Sequence, residues 1–157
     1  MSDKNPPINV FRPKFRVEEI LDEIRISLEK GWTGMGFKTD EFEEEWSNYT
    51  GLKFSHFLSS NTVGLHLAIE IFKIRNGWKE GDEIITTPLT FVSTNHAILY
   101  SGLKPIFADV DDTLCLDPKS VFDKINKKTK AIIFVGIGGN AGSLDKISKI
   151  CKEKNIV

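Results

Sequence analysis

The sequence predicts an α/β fold with a mostly parallel sheet flanked by helices. Short apolar segments alternate with segments of helical periodicity from residue 54 to residue 157. The apolar segments are nearly continuous in apolar residues, as in strands that helices cover on both faces. Gly77 marks the end of one predicted helix, and Asp117-Pro118 marks the start of another. This alternation indicates a succession of βα units.

Two helices are predicted before this alternation begins. Residues 1–16 contain three prolines and little periodicity, which predicts an extended arm. Apolar residues at helical spacing predict a helix over residues 17–30, which Gly31 ends. Thr39 is predicted to cap a second, shorter helix, which closes at Gly51.

The βα units then follow one another without an obvious linker. The predicted strands are 54–58, 83–87, 105–108 and 131–135, and the helices after them are 62–75, 93–100, 118–125 and 143–152. Residues 155–157 are predicted to open a further strand. Because a newly begun strand needs pairing and cover, we interpret the chain as a fragment or a truncated product.

Composition and charge exclude several classes of partner. The formal net charge is -1, with neither a basic stripe nor an acidic tail, so nucleic acid is not an expected partner. The chain shows no secretory signal and no membrane span, and we expect a cytoplasmic protein. Cys115 and Cys151 lie far apart and the three histidines form no metal-binding pair, so no metal site is predicted.

Ser60, Asn61 and Thr62 lie between the first predicted strand and its helix. Free backbone N–H groups and the positive end of the helix dipole meet at such a position, which favours an anion. The hydroxyl and amide side chains could add hydrogen bonds to a phosphate. The alternative is that Ser60 or Asn61 only caps the helix.

Phe91 follows the second predicted strand, at the edge where open α/β sheets bind ligands. An exposed aromatic side chain there could stack on a planar ring. The alternative is that the ring plugs the core.

Residues 136–142 form a glycine-rich segment between a predicted strand and helix. Gly136, Gly138 and Ala141 satisfy the pattern GxGxxA, so a dinucleotide site is a further hypothesis. The acidic partner of that pattern would lie at or past residue 157. A glycine-rich turn without a ligand is the alternative.

Several short segments recur in a specific order and spacing. They are GWTG at 31–34, EFE at 41–43, SNT at 60–62, LHLA at 65–68, GDEIITTP at 81–88, TF at 90–91, PIFADVD at 105–111 and TKAI at 129–132. Together they resemble the DegT/DnrJ/StrS family of pyridoxal-phosphate-dependent aminotransferases, which act on nucleotide-linked keto-sugars. The resemblance covers residues 11–157 and implies the N-terminal part of the large domain of a fold type I transferase.

The resemblance also implies roles for individual residues. Asn61 and Thr62, with Ser60 beside them, would bind the phosphate of pyridoxal 5'-phosphate, and Phe91 would stack on its pyridine ring. The aspartate that pairs with the pyridine nitrogen and the lysine that holds the cofactor covalently are expected outside these residues. No catalytic residue is therefore assigned, and the domains expected are an arm, 1–16, and an incomplete large domain, 17–157.

The partners implied are a nucleotide-linked keto-sugar and an amino-acid donor in the complete enzyme. A homodimer, or association with a missing C-terminal segment, is also implied. The chain departs from the family at Asn61, where glycine is usual, at Gly136, where histidine is usual, and at Gly138, where a larger residue is common. The alternative function is a binding or assembly module completed by a separate C-terminal half.

Overall fold

The computed structural model describes residues 12–157. Most of the predicted arm, residues 1–11, lies outside the described residues, and residues 12–16 have no regular secondary structure. The chain divides after Phe57 into two compact units. No helix among residues 12–157 combines the length and the hydropathy needed to cross a membrane.

The first unit contains two helices, α1 (Val17–Glu29) and α2 (Phe37–Thr50). Gly31 and Gly51 follow them with the positive φ angles of 66° and 73° that favour glycine, which confirms both predicted stops. The predicted cap at Thr39 is wrong. The N–H of Thr39 already donates to the Gly36 carbonyl oxygen at 2.8 Å, so Thr39 lies inside the first turn and Gly36 precedes the helix.

The strand predicted at residues 54–58 does not form, and that prediction is wrong. A strand exists only where a neighbouring backbone accepts and donates hydrogen bonds. In this segment the N–H of Phe57 instead donates to the Glu43 carboxylate, at 2.7 Å. The Phe57 ring also meets the Phe42 ring edge-on, with centroids 5.4 Å apart. Phe57 therefore packs on α2 and does not join a sheet, whereas the Phe54 side chain is 74% exposed.

The second unit is built on a three-stranded parallel sheet. Its strands are β1 (Glu83–Thr86), β2 (Lys104–Phe107) and β3 (Thr129–Ile132), in the order β2-β1-β3. Its helices are α3 (Asn61–Asn76), α4 (Ser93–Tyr100), α5 (Pro118–Lys124) and α6 (Leu144–Lys154). The predicted α/β fold class is confirmed. The third strand is displaced from the prediction, beginning two residues before Ala131.

The two faces of β1 belong to two separate apolar clusters. Successive side chains of a strand point to opposite faces, so Ile84 packs on one side and Ile85 on the other. The first cluster also contains Ile69, Trp78, Ala97, Ile98, Leu103 and Ala131. The second also contains Ala108, Leu116, Val121 and Ile147. Helices therefore cover both faces of the central strand, as its continuous apolar sequence predicted.

Val157 lies beside the edge of β3 that faces away from β1. Its N–H donates to the Lys130 carbonyl oxygen at 3.1 Å, and its carbonyl oxygen accepts from the N–H of Ile132 at 2.9 Å. One residue that bonds to both neighbours of a facing residue is the pattern of a parallel ladder. The structure thus places Val157 where the predicted further strand would run, although no strand is formed there.

Candidate functional site

A cavity of about 580 Å³ lies at the carboxyl ends of β1 and β3. Its volume falls in the range of small-molecule sites. Three segments contribute to its walls: the start of α3, the loop that follows β1, and the loop that follows β3. The lining residues are Ser60, Asn61, Thr62, Thr90, Phe91, Ser93, Thr94, Val135, Gly136, Ile137 and Gly138. All four residues that the sequence predicted for a cofactor site, Ser60, Asn61, Thr62 and Phe91, line this one cavity.

The start of α3 presents backbone donors to the cavity. Ser60 caps the helix, because its hydroxyl oxygen accepts from the N–H of Val63 at 3.3 Å. Asn61 and Thr62 are the first helical residues, and N–H groups in this turn have no acceptor within their own helix. These donors and the helix dipole together favour an anion. The capping interpretation therefore holds for Ser60, which engages the Val63 N–H, and the N–H groups of Asn61 and Thr62 precede that residue in the first turn.

Phe91 is 77% exposed and does not plug the core. The backbone around it is fixed on both sides. The N–H of Leu89 donates to the Thr87 hydroxyl at 3.0 Å, and the N–H of Thr94 donates to the Phe91 carbonyl oxygen at 3.1 Å. The hydroxyl groups of Thr90 and Thr94 lie 3.0 Å apart. A positioned backbone thus places an aromatic ring at the wall of the cavity.

The wall after β3 is the glycine-rich segment that sequence analysis linked to dinucleotides. Residues 137–139 form a single 3-10 turn in which Gly138 and Gly139 have φ angles of 60° and 84°. Helix α6 begins only at Leu144. The glycines therefore shape the wall of the cavity and do not open the next helix.

Sequence reasoning missed most of the lining outside the start of α3. Thr90, Ser93 and Thr94 were not singled out, and Gly136 and Gly138 were linked to a different ligand. The usable signal was topological: residues that follow the carboxyl ends of neighbouring parallel strands share one edge of the sheet. Applying that rule to residues 88–94 and 133–138 together would have predicted this cavity.

One carboxylate near this region has a shifted pKa. The hydroxyl and the N–H of Thr113 both donate to Asp111, and these bonds lower the pKa of that carboxyl below its ordinary value. The Asp111 carboxylate, in its anionic form, thus stabilises the turn of residues 111–116. That turn contacts the segment after β3, through Asn140.

Comparison with known proteins identifies the fold and the family of this chain. The fold is that of part of the large domain of a fold type I pyridoxal-phosphate-dependent transferase. The profile of the DegT/DnrJ/EryC1/StrS aminotransferase family matches residues 15–157, and the chain belongs to that family.

Three relatives illustrate the similarity. An uncharacterized protein of Methanocaldococcus jannaschii is 39% identical over 150 residues, which is 93% of this chain and 38% of that protein. The spore coat polysaccharide biosynthesis protein SpsC of Bacillus subtilis is 35% identical over 140 residues, covering 88% of this chain and 35% of SpsC. The crystal structure of NtdA from Bacillus subtilis, with bound cofactor PMP, superposes with a TM-score of 0.80 at 29% identity, covering 89% of this chain and 32% of NtdA. The chain spans less than two fifths of these proteins' length.

Proposed function

We propose that this chain supplies the phosphate-binding and ring-stacking parts of the active site of a sugar aminotransferase. The complete enzyme would use pyridoxal 5'-phosphate to transfer an amino group from an amino acid to a nucleotide-linked keto-sugar in the cytoplasm. One observation carries the proposal: Ser60, Asn61, Thr62 and Phe91 line a single cavity. Family membership and the names of the relatives support the class of reaction.

The residues present fit the chemistry of this cofactor. A phosphate needs several hydrogen-bond donors and a favourable field, and the first turn of α3 offers both at Asn61 and Thr62. A pyridine ring needs a flat apolar surface, and the exposed ring of Phe91 offers one. When bound, this cofactor acts as an electron sink for amino-group transfer. The proposed role of this chain is to bind the phosphate of the cofactor and to stack on its pyridine ring.

We further propose that residues 1–157 do not catalyse amino-group transfer by themselves. The resemblance to the family puts the aspartate and the lysine that the chemistry needs outside residues 17–157, which we propose to be an incomplete large domain behind an arm, 1–16. Completion by a C-terminal segment, or by a homodimer, is part of the same proposal. The backbone pairing of Val157 with β3 supports the addition of further strands on that side.

Pyridoxamine 5'-phosphate is the probe that tests this proposal, because it lacks the aldehyde that reacts with surface lysines. We expect Phe91→Ala to weaken its binding to the full chain by about tenfold, from the loss of ring stacking and of apolar contact. Binding of inorganic phosphate is expected to be unchanged, because the proposed stacking of Phe91 involves the pyridine ring and not the phosphate. Isothermal titration calorimetry measures the affinity of the chain for each of the two ligands.

Phe122→Ala is the matched control, because Phe122 is a half-exposed ring on α5 that does not line the cavity. Undiminished affinity of Phe91→Ala for pyridoxamine 5'-phosphate would refute the stacking role. With pyridoxal 5'-phosphate, glutamate and a nucleotide-linked keto-sugar, the parent chain is expected to form no amino-sugar; catalytic turnover would refute the incompleteness proposed above.

A second variant tests the anion site at α3. Thr62→Val keeps the shape of the side chain and removes its hydroxyl donor, which is expected to cost about 0.5–1.5 kcal/mol of binding free energy. The loss should appear with inorganic phosphate as well as with pyridoxamine 5'-phosphate, and not with pyridoxamine. Thr39→Val, in the first turn of α2, is the control. Equal phosphate affinities in Thr62→Val and the parent chain would place the anion elsewhere.

A further inference from the structure

We propose that Asn140 is a positioning residue of this cavity. Its side chain fastens the glycine loop, defined as residues 136–139, to the hairpin turn, defined as residues 111–116. The loop is then fixed in place, and with it the part of the cavity wall that Gly136 and Gly138 form. The inference rests on the proposed function for the identity of the ligand, and on the contacts below for the role of the side chain.

Asn140 joins segments that are far apart in the sequence. Its side-chain Nδ2 donates to the Thr113 carbonyl oxygen at 3.0 Å, across 27 positions of the chain. Its Oδ1 accepts from the N–H of Gly142 at 2.9 Å. The Cys115 Sγ donates to the Asn140 backbone oxygen at 3.4 Å. One residue therefore bonds to the hairpin turn with both its side chain and its backbone.

The hairpin turn is a fixed support. Val110 and Leu116 form an antiparallel bridge, and Thr113 donates to the Asp111 carboxylate. Cys115 and Leu116 are both 0% exposed, and Leu116 packs in the apolar cluster with Ile85. A group that bonds to this turn is thereby held in a fixed position relative to the core of the unit.

The glycine loop, by contrast, is closed by two backbone hydrogen bonds, from the Gly139 and Asn140 N–H groups to the Gly136 and Ile137 carbonyl oxygens. Gly138 and Gly139 have positive φ angles, and nothing lies within 4 Å of where their Cβ atoms would be. Glycine loses more conformational freedom on ordering than other residues, so such a loop needs external bonds to stay in one conformation. Gly136 also approaches Asn140 closely, since a Cβ there would lie 2.8 Å from the Asn140 backbone oxygen. Movement of residue 140 would therefore move the cavity wall.

Asn140→Ala and Asn140→Asp test the role in the full chain. Alanine removes both side-chain bonds, whereas aspartate keeps the acceptor for Gly142, replaces the donor by an oxygen that faces the Thr113 carbonyl oxygen, and adds a negative charge. We expect Asn140→Ala to weaken the binding of pyridoxamine 5'-phosphate by about three- to tenfold, a loss equivalent to about one ordinary hydrogen bond, and to leave the binding of inorganic phosphate unchanged. Hydrogen exchange at the Gly139 and Asn140 amides, whose bonds close the loop, is expected to accelerate.

Asn126→Ala is the matched control. Asn126 also bonds to a backbone N–H two residues on and to a distant side chain, Glu83, but it precedes β3, at the end of the sheet opposite the cavity. Removal of the Asn126 side chain should lower the stability of the chain, and it should not change the binding of pyridoxamine 5'-phosphate relative to that of inorganic phosphate. Unchanged pyridoxamine 5'-phosphate affinity in a folded Asn140→Ala chain, or equal weakening of the binding of both ligands in that chain, would overturn the inference. If the parent chain binds no pyridoxamine 5'-phosphate, the proposed function fails, and the exchange rates alone decide whether Asn140 orders the loop.

Discussion

Ile85→Ala is expected to lower the free energy of unfolding of this chain by about 2–5 kcal/mol. Ile85 is 0% exposed at the centre of the sheet and packs with Leu116, Val121 and Ile147. Alanine leaves a void there that can close only partly, because β1 is held by hydrogen bonds to strands on both sides. Urea denaturation followed by circular dichroism measures the loss.

Ile74→Ala is the matched control for this prediction. Ile74 is the same residue type on α3, but its side chain is 78% exposed. The expected change lies within about 0.5 kcal/mol, because little apolar surface leaves water there on folding. Similar losses in the two variants would contradict the placement of Ile85 in the core.

Gly142→Ala is expected to be nearly as destabilising as the core variant. A Cβ at this position would lie 2.6 Å from the Cys115 Cβ and 2.9 Å from the Thr113 Oγ1. Overpacking of this kind costs about 1–3 kcal/mol. The φ angle of 47° adds about 1–2 kcal/mol for any residue with a Cβ. Denaturation of the variant should therefore show a loss of about 2–5 kcal/mol.

Gly138→Ala separates the two causes of that loss. Gly138 has a similar φ angle, 60°, but nothing lies within 4 Å of its Cβ position. Only the backbone cost of about 1–2 kcal/mol is expected there. If Gly142→Ala is no more destabilising than Gly138→Ala, the close packing of residue 142 on the hairpin turn is wrong.

Local signals in the sequence were sufficient for most of the secondary structure. Gly77, with a φ angle of 65°, ends α3, and Asp117 caps α5 by accepting from the N–H groups of Lys119 and Ser120. Such signals depend only on neighbouring residues. The strand predicted at 54–58 failed because strand formation depends on a distant partner, and an apolar run can equally pack on a helix, as Phe57 does on Phe42.

The residues of the candidate site also fall into those that local sequence signals indicate and those that depend on distant contacts. Ser60, Asn61 and Thr62 were candidates because a helix start is a local signal, and Phe91 because it lies in the loop after a predicted strand. Their roles toward a cofactor are what the family resemblance implies and stay predictions. The fastening of the loop by Asn140 was not predictable, since its contact with Thr113 spans 27 positions and depends on the packing of two irregular segments. Periodicity carries no information about such a contact.

The separation of Ile84 from Ile85 has a consequence for how this sequence can change over evolutionary time. Each face of β1 contributes to a different cluster. We expect a substitution on one face to be compensated among Ile98, Leu103 and their neighbours, and one on the other face among Leu116 and Val121. Substitutions at residues far apart, with no shared contacts, are close to additive. The two halves of the interior can therefore drift independently, while the backbone of β1 keeps the loops of the cavity in register.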